Sequence, residues 1–277
     1  VPHWLARLAL AFARRGPRSV LVRRRHDGPL YVQRALYPEA DGTPHLMLLH
    51  PPGGMVQGDR IEIEAHVAAA AQALITTPSA SRFYRMPATD TTQTVWLVVG
   101  ADAMLEWLPL EAILFDGARV RNTLSLQLDS RARAIAWDIV TFGRPAIGER
   151  LTHGALDTRL RVSIDAQPVL DERTHVPGLA KSDLQDAVWG LDGARVMGTL
   201  VAYRPEGFDE KDSTAVREAA AAVVDVRIGI TRVDGLLLVR ALGAAPTAVR
   251  EALSAVWAVL RPRVAGKPVV APRIWST

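Results

Sequence analysis

Short runs that alternate apolar and polar residues recur along the first two-thirds of the chain, and such runs bury one side efficiently only as β-strands. In the clearest run, Ile61, Ile63, Ala65 and Val67 fall on one side of an extended chain, and Glu62, Glu64 and His66 on the other. Comparable runs occupy residues 8–12, 30–34, 46–49, 73–77, 93–99, 104–108, 118–128, 132–140, 158–164 and 167–173. Between several of them stand turn formers: Asp27-Gly28-Pro29, Pro51-Pro52-Gly53-Gly54, Gly100-Ala101-Asp102-Ala103 and Asp129-Ser130-Arg131. Proline cannot donate to a strand ladder, so pairing stops at Pro51. Short strands spaced by about 10 residues point to a sandwich or a wound structure. The expectation is a mainly β fold: a large, mostly antiparallel, wound β-structure, sandwich or helical-like, with about two helices.

The last third changes character. Residues 212–222 are alanine-rich and read as a helix, with Ser213 or Thr214 as N-cap. Residues 223–232 and 236–241 flank Asp234-Gly235, a hairpin signal. Residues 246–264 form the clearest helix, with Thr247 as cap and an apolar stripe of Val249, Leu253, Val256, Trp257 and Leu260. One continuous domain, 1–277, is expected, divisible at most into a β body (1–204) and a C-terminal β/α part (205–277).

Composition narrows the function classes. Of 277 residues 49% are hydrophobic and 22% charged, enough for a real core. The absence of a run of about 18 apolar residues argues against a membrane helix. Residues 1–16 lack the apolar core of a signal peptide. There is no cysteine, which excludes disulfides and thiolate metal sites and accords with a cytoplasmic protein. The net charge is +4, and the densest basic run, Arg23-Arg24-Arg25-His26, is too short and too poor in aromatics for a nucleic-acid surface. It reads as a solvated strand end or a contact for an acidic protein.

Familiar catalytic signatures are missing: no phosphate-binding loop, no G-x-S-x-G elbow, no H-E-x-x-H helix. The glycines of the Gly53–Gly58 stretch precede a strand, so they read as a tight turn needing positive φ. Glu62, Glu64 and His66 are the one compact set of oxygen and imidazole donors on a single strand face, able to hold Ni²⁺ or Zn²⁺ weakly or to be simply solvated. Glu106, Glu111, Asp116 and Asp138 stand among apolar residues. A carboxylate buried there needs a partner or trapped water, as a paired structural group or as the lining of a wet internal passage.

Several of these segments, in order, resemble one known family. They are Gly28-Pro29-Leu30-Tyr31-Val32-Gln33-Arg34, the His50–Asp59 turn, Leu74-Ile75-Thr76-Thr77-Pro78 with Arg82-Phe83-Tyr84-Arg85, and Glu106-Trp107-Leu108-Pro109-Leu110-Glu111. Phe115-Asp116-Gly117-Ala118-Arg119, Gly143-Arg144-Pro145-Ala146 and the ending Pro272-Arg273-Ile274-Trp275 continue the series. Together they resemble the urease accessory proteins of the UreD (UreH) family. That resemblance implies a mostly β fold with a few helices and a scaffold or metallochaperone role, not an enzyme. It implies partners: a helical UreF-type protein, a UreG-type GTPase that carries the GTP, and apo-urease. It implies nickel in transit, with no tightly bound cofactor, along a path for which Asp59, Ser81, Asp138 and Glu172 are the candidates by carry-over. With the Glu62, Glu64 and His66 face, these make up the candidate nickel path. Departures from the family pattern are Pro44, where many relatives carry cysteine, and Gln57, where glycine is common. The alternatives are an uncharacterised β-rich hydrolase, resting on the scattered carboxylates, and a protein- or carbohydrate-binding β module, resting on seven tryptophans.

Overall fold

The strand pattern closes into a helical path. The computed structural model describes residues 4–86 and 88–276. Its first strands are β1 (Leu5–Arg15), β2 (Arg18–Asp27), β3 (Tyr31–Val32), β4 (His45–Leu49), β5 (Arg60–Val67) and β6 (Gln72–Thr76). They are followed by β7 (Ser81–Phe83), β8 (Thr91–Val99), β9 (Met104–Leu108), β10 (Ala112–Leu114), β11 (Arg119–Leu128) and β12 (Arg133–Phe142). Then come β13 (Ala155–Ile164), β14 (Gln167–Pro177), β15 (Val196–Tyr203), α1 (Glu210–Ala221), β16 (Val226–Val233), β17 (Leu236–Gly243) and α2 (Pro246–Ala265). Two large sheets result. One runs β14-β13-β11-β8-β5-β1-β2 and the other β16-β17-β15-β12-β9-β6-β4-β3, with β7 and β10 in a short ladder beside β12.

From β4 to β13 the chain passes from one sheet to the other and back, so each new strand lies beside its predecessor in the same sheet and runs the same way. β5, β8, β11 and β13 are parallel neighbours, as are β4, β6, β9 and β12. The mainly β, wound architecture with two helices is the expected one. The pairing is mixed, where mostly antiparallel ladders were expected. The reason is connectivity: a strand reached by crossing through the opposite sheet returns in its original direction, whereas a tight hairpin reverses it. Antiparallel pairs are confined to the flanks, such as β1–β2, β13–β14 and β16–β17. The β16–β17 turn is the expected hairpin, with Asp234 at φ 47° and Gly235 at φ 81°.

One core fills the space between the sheets, with Leu8, Leu10, Phe12, Ile63, Val95, Leu124, Leu126 and Ala136 among its members. A second lies between the longer sheet and α2, where Val249, Leu253, Val256, Trp257 and Leu260 cover Ile135, Trp137, Ile139, Leu200 and Val239. Gly198 on β15 makes this approach possible, since a Cβ there would lie 2.8 Å from Leu253 and 2.9 Å from Val249. The helix starts differ from expectation. Asp209 caps α1 in a reciprocal box with Asp212, four and five residues ahead of Ser213 and Thr214, the hydroxyls that were expected to serve. At α2 the cap position is Ala245, with Pro246 opening the first turn and Thr247 inside the helix.

A buried charge network ties α2 to the β body. Arg261 and Glu106 are both fully buried. Arg261 Nε donates to both Glu106 oxygens at 3.0 and 3.1 Å, and its Nη2 donates to Glu39 Oε1 at 2.5 Å. Trp257 Nε1 donates to Glu106 Oε1 at 2.6 Å, and Lys267 Nζ lies 3.1 Å from Glu39 Oε2. Burial pushes the Glu39 carboxyl up, but His45, Lys267 and Arg261 outweigh it and bring it down to about 2. Glu106 is therefore a paired structural carboxylate, and the C-terminal Trp275 closes the layer by stacking on Trp137 at 5.4 Å.

Candidate functional site

Strand alternation sends Val120, Asn122, Leu124 and Leu126 of β11, and Ala136, Asp138 and Val140 of β12, into the space between the sheets. The inward polar residues are in register across each sheet. On one side Gln93, Asn122, Thr158 and Thr174 are successive partners across β8, β11, β13 and β14. On the other, Asp138, Thr199 and Arg240 are successive partners across β12, β15 and β17, with Gly229 of β16 beside Arg240. A polar row thus crosses an otherwise apolar core.

The row bridges the sheets at its centre. Asn122 Nδ2 donates to Asp138 Oδ2 at 2.6 Å, and Gln93 Nε2 donates to Asn122 Oδ1 at 3.3 Å. Two cavities flank this point. The larger, about 440 Å³, reaches His50, Pro51, Gly53 and Thr77–Ser81, while the smaller, about 260 Å³, reaches Thr158, Thr174, Thr199, Glu172 and Arg240. Both share Asp138 and Leu124 in their walls. Asp138 lies deep in the fold, yet what surface it keeps faces these cavities. Burial lifts its carboxyl to about 6, opposed by hydrogen bonds from Asn122 and the Ile139 backbone. At the other end of the larger cavity, burial lowers the pKa of His50 while Asp59 pulls it the opposite way. His50 therefore offers a neutral ring at neutral pH, the form that binds metal ions.

The seven candidate residues separate into three groups. Ser81, Asp138 and Glu172 line the cavities. Asp59 does not line either one; it closes its own turn, accepting from Trp4 N at 3.2 Å and Val56 N at 2.9 Å. The glycines of that turn carry the positive φ expected of them, 74° at Gly53 and 79° at Gly58. Glu62, Glu64 and His66 lie on the face of β5 turned away from the core, where Glu62 is paired with Arg7 at 2.6 Å. No three His, Asp or Glu side chains gather into a metal-holding group among the described residues. Asp116 accepts from the backbone N–H of Thr152 and of His153 at 2.8 and 2.7 Å, a loop-fixing role.

The sequence reading missed Gln93, Asn122, Thr158, Thr174, Thr199, Arg240 and His50. A signal existed for some of them: Asn122 stands at the buried parity of its strand, between Val120 and Leu124. Arg240 carried none, because only the meeting of β17 with β14 brings it to Glu172. Of the tryptophans, Trp107, Trp137 and Trp257 are buried, which leaves less for a glycan-binding surface than the count suggested.

The fold and the site together define a wound β scaffold with internal cavities whose mainly apolar walls are crossed by a polar row. Known proteins give that class a family. The profile described as "UreD urease accessory protein" matches residues 5–276. Among curated proteins, "Urease accessory protein UreD" of Alkalilimnicola ehrlichii is 44% identical over 100% of this chain and 92% of its own length. The proteins of that name from Dechloromonas aromatica and Klebsiella aerogenes are 41% and 40% identical, over 100% and 99% of this chain and 96% and 97% of their own. The chain belongs to the UreD family of urease accessory proteins.

Proposed function

We propose that this protein joins a UreF-type helical protein, and through it a UreG-type GTPase, to apo-urease, and that it passes nickel toward the urease active site between its two sheets. The observation that carries the reading is Asp138. It is a deep carboxylate with no cationic partner among the described residues, set in the shared wall of both cavities. A solely structural carboxylate is paired, as Glu106 is. One left facing internal space at a cost in stability is a functional candidate.

The chemistry suits transit. A water molecule takes about 30 Å³ of liquid volume, so each cavity has room for a hydrated ion to exchange ligands. Ser81, Asp138, Glu172, the threonines and His50 offer oxygen and imidazole donors singly along the way. Nickel binds such donors, and scattered weak sites let an ion leave where a closed cage would hold it. An ionised Asp138 supplies the one strong attraction at the centre. The work belongs to the cytoplasm and involves neither nucleic acid nor membrane; no helix among the described residues is long and apolar enough to cross a bilayer.

The test is the triple replacement Ser81→Ala, Asp138→Ala and Glu172→Ala, co-expressed with urease and its other accessory proteins. The expected result is urease with several-fold less nickel, while the variant still co-purifies with its UreF-type partner. Full urease activation by a normally expressed triple variant would sink the reading.

A further inference from the structure

The two ends of the polar row differ in charge. At the end near His50 and Ser81 the larger cavity is lined by neutral groups and glycine. At the other, Arg240 reaches from β17 across the gap between the sheets and pairs with Glu172 on β14. Both side chains line the smaller cavity, and both are partly solvent-accessible, 39% and 30% exposed. Glu172 sits opposite Leu160 on the inward face of β14, and Arg240 sits opposite Thr199, the cross-strand partner of Asp138. The pair therefore spans the inter-sheet gap at the edge of the shorter sheet, in line with the buried carboxylate.

We infer that Arg240 is the closing residue of this end of the passage: by holding Glu172 it bars the way to Asp138, and it opens by swinging off that carboxylate. The inference rests on the passage reading above and names the residue that controls it. Three observations favour closure by this pair over a fixed strut. First, a partly exposed ion pair is weak and screened by salt, so it can open, unlike the fully buried Arg261–Glu106 pair. Second, the neighbour of Arg240 on β16 is Gly229, where an added Cβ would meet nothing within 4 Å. No side chain from β16 therefore stands beside Arg240, and the space at Gly229 is open. Third, a guanidinium beside the path repels any cation approaching while it holds its place, and a divalent ion arriving at Glu172 competes for the same oxygens. Arg240 would thus keep the passage shut to stray cations until a partner or the ion itself draws the pair apart.

The chain has no cysteine, so one introduced thiol is unique. Thr199→Cys places that thiol in the smaller cavity between Asp138 and Arg240. The experiment measures the rate at which a small methanethiosulfonate reagent modifies the full-length Thr199→Cys protein, with and without Arg240→Gln. The expected result is a rise of about fivefold on removing the guanidinium, the opening ratio of a typical exposed ion pair. Raised salt should reproduce part of that rise only where Arg240 is present. Equal rates in the two backgrounds, with both proteins folded by circular dichroism, would overturn the proposal. Should Arg240→Gln fold poorly, Glu172→Gln breaks the same pair from the other side and must give the same acceleration. The assay contains no nickel, so its outcome is independent of transport. Urease activation at limiting nickel by Arg240→Gln is the separate readout of the passage itself.

Discussion

Replacing Arg261 with methionine is expected to destabilise the protein by about 3–5 kcal/mol, the cost of leaving a buried carboxylate without its counter-ion. Methionine keeps much of the volume, so the loss is mainly electrostatic. Glu106, with no exposed surface, would keep only the Trp257 indole as hydrogen-bond donor, and Glu39 would keep His45 and Lys267. The damage should spread to the docking of α2, since Trp257 packs against both Glu106 and Trp275. Urea denaturation at pH 7 measures it, and a change below about 1 kcal/mol would mean that the cluster is solvated and dispensable. The same cluster predicts acid sensitivity. The Glu39 carboxyl falls from 4.5 to about 2 on folding, so below pH 4.5 the unfolded chain takes up a proton that the folded one refuses. Its contribution is present above pH 4.5 and is lost as pH falls toward 2.

How much of this could be read in advance divides along the range of the interactions. Strand existence was legible because burial on one face imprints a period of two, as at Ile61–Val67. Whether neighbouring strands run parallel was not, because alternation carries no direction; direction follows from which sheet the chain visits next. The Glu106 motif announced a buried carboxylate, but its partner lies 155 positions away on α2. Asp138 was marked by the apolar residues around it as well as by family resemblance, and Glu172 by the resemblance alone. Asn122 and Thr199 follow from parity once the inward face is known. For Glu62, Glu64 and His66 alternation predicted a shared face but not its direction: it is the outer one, with Glu62 paired to Arg7.

The second large effect concerns Asp138, for which stability and function should move in opposite directions. Its carboxyl rises from 3.8 to about 6 on folding, so between these values the folded chain holds a proton that the unfolded chain has released. Stability therefore falls as pH rises from about 4 to 6 and stays lowered above that; the gap corresponds to at most about 3 kcal/mol. Asp138→Asn removes the charge and keeps the shape. At pH 7.5 the variant should be about 1–3 kcal/mol more stable than the parent, with the difference shrinking toward pH 4. In cells it should activate urease several-fold less well. Urea titrations at pH 4.5 and 7.5 check the first half, and urease activity against expressed variant the second. A less stable Asp138→Asn protein at pH 7.5 would show that the carboxylate is a structural necessity, and its weaker activation would then say nothing about a passage.

In the proposed passage, ions move between the sheets and past Asp138. Leu124 shares with Asp138 the wall of both cavities, so Leu124→Trp fills the space beside Asp138 without altering a polar group. Overpacking there costs about 1–3 kcal/mol, small enough for the variant to remain folded. The decisive measurement is the nickel content of urease purified from cells that co-express this variant with the remaining accessory proteins, normalised to the amount of assembled complex. The passage predicts that nickel per urease active site drops several-fold while the complex still forms. Urease carrying its full complement of nickel, assembled with the plugged protein, would contradict it.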